Sequence, residues 1–108
     1  MTEREFMDLV EARHRKRVTL MQAKSGEYSR NDDKLHNFYR AAELQGCTPE
    51  RALQGMWAKH LVSILDIVDD TETYMQLPSQ SVIEEKFNDC HNYLDLLEAL
   101  IKERRDDL

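Results

Sequence analysis

At 108 residues, 41% apolar and 33% charged, the chain has room for one hydrophobic core, and residues 1–108 read as one domain. A formal charge of −6, with its one basic cluster (Arg13, His14, Arg15, Lys16, Arg17) set among acids, disfavours a nucleic-acid surface, which needs excess positive charge. No apolar run approaches the roughly 20 residues of a membrane span, and three glycines, two prolines and no β-branched runs point to an all-α, four-helix-bundle-like fold.

Thr2 opens the first helix as a cap, with Glu3 and Glu5 in the turn that the helix dipole favours for acids. Phe6, Leu9, Val10, Leu20 and Met21 make its apolar face, and Arg13, Arg17 and Lys24 project onto that same face. Two readings stand for these cations. Their stems run along the core edge with the heads in water, or they point at an anionic group, either acids of other helices or a bound phosphate. Residues 25–33 interrupt the helix at Gly26, and Asp32 or Asp33 caps a second helix over 34–45. Its inward face is Leu35, Phe38, Ala41, Ala42 and Leu44, with the Asn37 amide beside it.

Gly46 ends that helix, Thr48 caps the next and Pro49 takes the first-turn position that tolerates proline. The third helix then runs to about 69, apolar over a wide arc through Leu53, Met56, Trp57, Leu61, Ile64, Leu65, Ile67 and Val68. Such an arc predicts the most buried helix of the fold. His60 projects near the centre of the arc, and Lys59, Ser63, Asp66 and Asp70 line one edge. A connection over 69–78 leads to Ser79 or Ser81 as cap of the last helix. The charged tail from 102 onward is expected to fray. Cys47 and Cys90 form neither a zinc pattern nor a disulfide framework, and free thiols fit a cytoplasmic location.

Over 81–105, Ile83, Phe87, Cys90, Leu94, Leu97 and Ile101 recur with steps of 4, 3, 4, 3 and 4, the repeat of a helix laying one stripe on a partner. Asp89 falls inside the apolar flank with Lys86 beside it, and Glu85 and Asn92 at the margin stand within side-chain reach. A charge drawn into an apolar face needs a partner. A Lys86–Asp89–His60 cluster is therefore either a structural tie between helices or part of a site. No glycine-rich phosphate loop, metalloprotease motif or serine elbow is present, and Ser63 near His60 lacks an oxyanion hole. Carboxylates facing one another across a bundle, here Asp66, Glu85 and Asp89, are how such folds hold Mg2+.

The runs around residues 24–28, 37–42, 59–66 and 84–94 resemble small phage-borne or prophage-borne proteins of nucleotide-modification type. More distantly they are similar to the all-α nucleotide pyrophosphohydrolases of the MazG and dimeric dUTPase superfamily. That resemblance implies a nucleotide-binding, Mg2+-dependent hydrolase of phage nucleotide metabolism that acts as a homo-oligomer. It implies Glu85 and Asp89 as catalytic acids, Asp66, Glu85 and Asp89 as metal ligands, and Lys24, Lys59 and Lys86 as phosphate partners. Asn37 and Asn92 would orient the nucleotide, and Tyr28, His60 and Ser63 complete the implied ligand-binding set. Glu85 and Asp89 are four apart where that superfamily has three, and the first acid pair is replaced by His60, Ser63, Asp66 and Asp69. The alternative is a non-catalytic helical interaction module in which the Lys86–Asp89–His60 cluster is structural.

Overall fold

In the computed structural model, which describes residues 1–23 and 33–108, four helices follow one another: α1 Glu3–Ala23, α2 His36–Gln45, α3 Pro49–Tyr74 and α4 Gln80–Asp106. The described residues contain no β-strand, as the composition predicts. Helix starts are set by local side chains. At α1, Thr2 Oγ1 accepts from the Glu5 N–H (3.1 Å) while the Glu5 carboxylate accepts from the Thr2 N–H (2.8 Å), a reciprocal capping box. Thr48 caps α3 through the Arg51 N–H, with Pro49 as its first residue, and Ser79 rather than Ser81 caps α4 through the Val82 N–H. Gly46 ends α2 in the left-handed region at φ 68°, where the missing Cβ removes the steric penalty.

Three boundaries depart from the sequence reading. α2 begins at His36 and not at 34, because the Asp33 carboxylate spends itself on the Leu35 N–H (3.1 Å), a turn ahead of the helix; Asp32 and Gly26 lie outside the described residues. α3 runs on to Tyr74, since nothing in the Thr71–Glu72–Thr73 stretch breaks it, and Met75 ends it at φ 53°. The tail stays helical to Asp106, held by Arg104, whose Nε and Nη2 both reach the Glu50 carboxylate at 2.7 Å. A two-point guanidinium–carboxylate clamp is stiffer than a single ion pair.

α3 and α4 form an antiparallel hairpin, and α2 caps one end of it. The core sits at that end, formed by Leu35 and Phe38, by Leu53 of α3, and by Tyr93, Leu96 and Leu100 of α4. Phe38, Leu53 and Leu100 are fully enclosed. Among the described residues α1 packs on α4 alone, and it runs in the same direction, as Arg13 meeting Glu84 and Arg17 meeting Asp95 show. Its own apolar residues stay partly open, and none is fully buried.

Two burial expectations are corrected by this arrangement. α3 is not the most buried helix: only Ala52 and Leu53 are buried on it, against Asn88, Asn92, Tyr93, Leu96 and Leu100 on α4. The reason is length. α2 has 10 residues, about 15 Å of helix, and covers only the first half of a 26-residue neighbour, while α1 lies on α4. On α4 the buried row centres roughly 160° round the helix from Phe87, Leu94 and Ile101, counting 100° per residue, so these three stay partly open while Ile83, Cys90 and Leu97 of the same predicted stripe are half-buried. Leu44, expected inward on α2, is likewise exposed. The radius of gyration, 16.2 Å, exceeds the roughly 13 Å of a fully packed domain of this length.

Candidate functional site

Asp89 is turned inward. One of its carboxylate oxygens stands 3.6 Å from His60 Nδ1 across the α3–α4 hairpin, and both side chains are about four-fifths covered. The His60 ring leans on Tyr93, with centroids 5.0 Å apart and planes at 33°. The acid that the sequence places in the apolar flank thus meets the histidine that it places in the apolar arc. Beside them Trp57 turns its indole N–H toward the Cys90 sulfur without reaching hydrogen-bond geometry. Burial pushes the Cys90 thiol above its ordinary pKa, the Trp57 contact opposes that shift, and the Asp89 charge adds to it. A thiol held in its neutral form is a poor nucleophile.

The structure brings few of the other candidate residues to this pair. Lys86 is half-buried but forms no ion pair among the described residues, so the tie expected from it is made by His60 instead. Ser63 gives its hydroxyl back to the Lys59 carbonyl at 3.1 Å, within its own helix, and Lys59, Asp66 and Glu85 are exposed. Asn37 lies on the exposed side of α2. Asn92 is buried, four residues from the equally buried Asn88. Neither the Asn92 Oδ1 nor the Asn88 Nδ2 has a hydrogen-bond partner, so the two amides do not satisfy each other. Lys24 and Tyr28 lie outside the described residues. Among the described residues no three carboxylate, histidine or cysteine side chains gather as a group that could hold a metal ion, Asp66, Glu85 and Asp89 included.

The densest polar organisation is elsewhere, along the α1–α4 seam. Glu84 receives Arg13 Nη2 and Lys16 Nζ, each at 2.6 Å, and Arg17 Nε meets Asp95 at 3.2 Å. Lys16 and then Arg13 hold the Glu84 carboxyl down at about 2, far below its ordinary range. This realises the reading in which the basic residues of α1 point at acids of another helix. The acid used is Glu84, one residue before the Glu85 singled out by motif. One residue is 100° of helix, enough to move a side chain from the margin to the seam.

No family model matches the chain, and no curated protein and no solved structure shows significant similarity to it. The likeness to the all-α pyrophosphohydrolases therefore stands on the sequence runs alone. No helix among the described residues is long and apolar enough to cross a membrane.

Proposed function

We propose that this chain is a non-catalytic helical assembly module that pairs with a second copy of itself through the open side of the α3–α4 hairpin. The observation that carries the reading is a two-helix apolar face that no described residue covers. On α3 it comprises Leu61, Leu65 and Val68, and on α4 Leu94 and Ile101, with Leu65 60% and Ile101 52% exposed. Trp57 and Leu97 line one recess where the two helices meet. The steps of four and three on α3 and of seven on α4 are those of helix-on-helix packing, and an antiparallel hairpin set face to face with its copy makes a closed four-helix arrangement.

The area is sufficient. A packed monomer of 12.8 kDa exposes about 6,300 Å2, whereas this chain exposes 8,054 Å2. The excess is about twice the roughly 800 Å2 that each partner buries in an interface of standard size. In this reading the Asp89–His60 pair is a polar tie that fixes the register of the hairpin under the shared face. Sedimentation at up to about 0.1 mM tests it. Wild type should sediment at twice 12.8 kDa and the Leu65→Glu/Leu94→Glu variant as a monomer with unchanged helix content. A wild-type monomer over that range would overturn the reading.

A second reading, a nucleotide-binding, pyrophosphohydrolase-like protein of phage nucleotide metabolism, draws support from one feature, the inward Asp89 opposite His60. A ligand that binds only the folded chain raises its melting temperature. Nucleoside triphosphates, with and without Mg2+, should do so if this reading holds. A melting temperature unmoved by all of them would remove it.

A further inference from the structure

Between α1 and α4 lies a cleft of about 660 Å3, within the size range of small-molecule sites. Its walls are apolar, from Phe6, Leu9 and Val10 on one helix and Ile83 and Phe87 on the other. Arg13 and Asn88 line it as well, and both carry donors with nothing to donate to. Arg13 gives Nη2 to Glu84, but its Nε and Nη1 are buried without an acceptor. Asn88 is only 2% exposed and its Nδ2 has no acceptor among the described residues. Unpartnered buried donors are costly, and here the two side chains that carry these three nitrogens, one on each helix, both line one apolar recess.

We propose that this cleft is a binding site for a small amphipathic monocarboxylate, with the carboxylate taken by Arg13 and Asn88 and the alkyl or aryl body held by the five apolar walls. Charge selects the anion. Along the seam Arg13, Lys16 and Arg17 face Glu84 and Asp95, three cations against two anions, which leaves one positive charge on a chain of net charge −6. One uncompensated cation matches a monoanion better than a phosphate dianion. The donors explain why an acceptor is wanted, and the walls explain why a fully solvated anion does not suffice. The site lies apart from the pairing face, since Leu61, Leu65, Val68, Leu94 and Ile101 do not line it.

Calorimetric titration with sodium decanoate, kept below micelle formation, tests the assignment. Wild type should bind one decanoate per chain saturably. Decan-1-ol, which shares the body but not the charge, should bind at least about tenfold more weakly, as should inorganic phosphate, which lacks the body. Arg13→Gln should weaken decanoate binding by about tenfold or more. Because that change also loosens Glu84, Asn88→Leu serves as the second variant: it leaves the ion pairs in place and should weaken binding to a similar extent. Leu65→Glu/Leu94→Glu, which changes residues outside the cleft, should leave decanoate binding unchanged, whatever the oligomeric state. Absence of saturable decanoate binding by wild type would overturn the proposal. So would equal affinity for the alcohol, or decanoate affinity untouched by both Arg13→Gln and Asn88→Leu.

Discussion

Asn88→Leu should make the protein more stable, an unusual expectation for a substitution at a buried polar position. Asn88 is 2% exposed, so its amide has lost almost all contact with water, and its Nδ2 has no acceptor in exchange. A buried donor left unmade costs about 1–3 kcal/mol, and replacing it by an apolar group of similar shape returns that cost. The α1–α4 cleft beside Asn88 offers the branched side chain room, so overpacking does not cancel the gain. For a chain of this size each kcal/mol is worth about 4–8 °C, and the melting temperature should rise by about 4–24 °C. Urea denaturation should show a higher midpoint at unchanged slope, and chain concentration must be held fixed because association also moves the midpoint. A midpoint below that of wild type would show that the amide is already satisfied. The reasoning that reads Asn88 as a residue kept for a ligand at the expense of stability would then fail.

Leu53→Ala should act in the opposite direction, destabilising by about 2–5 kcal/mol, because Leu53 is fully enclosed where α2, α3 and α4 meet; denaturant titration checks it. Acid should release α1 before the hairpin opens. Glu84 has its folded pKa lowered to about 2 from 4.5, so its contribution is complete above about 4.5 and is lost as pH falls toward 2. Hydrogen exchange of α1 amides should accelerate through that window, and Glu84→Gln should accelerate it at neutral pH and flatten the dependence. Gly46→Ala should cost about 1–2 kcal/mol by thermal denaturation. At φ 68° the added Cβ meets open space but not an allowed backbone well, so an unchanged midpoint would contradict the left-handed cap.

The four described helices and most of their starts were readable from neighbours in sequence. Thr2 with Glu5, Thr48 with Pro49, and Gly46 act within one turn, so their chemistry needs no knowledge of the rest of the chain. The inward placement of Asp89 and His60 was readable too, since each falls in an apolar arc on its own helix, though not that they would face each other and leave Lys86 aside. Asn88 gave no comparable signal, because a single amide next to an aspartate looks like ordinary helix surface until α1 lies over it. Nor did Glu84 stand out from Glu85, since both occur in one acidic run and only the position of α1 chooses between them.

The sequence by itself determined where the apolar arcs are and how wide they run. Which arc is covered was decided by tertiary structure. Ten residues of α2 reach only half of α3, and α1 settles on α4, held by Arg13, Lys16 and Arg17. Periodicity records that a face prefers burial, but burial needs a second surface of matching length, and helix length and docking partner are properties of the whole chain. Of the strongest stripe in the sequence, Leu94 and Ile101 therefore stayed open, Phe87 lines the α1–α4 cleft, and Ile83, Cys90 and Leu97 are half-buried.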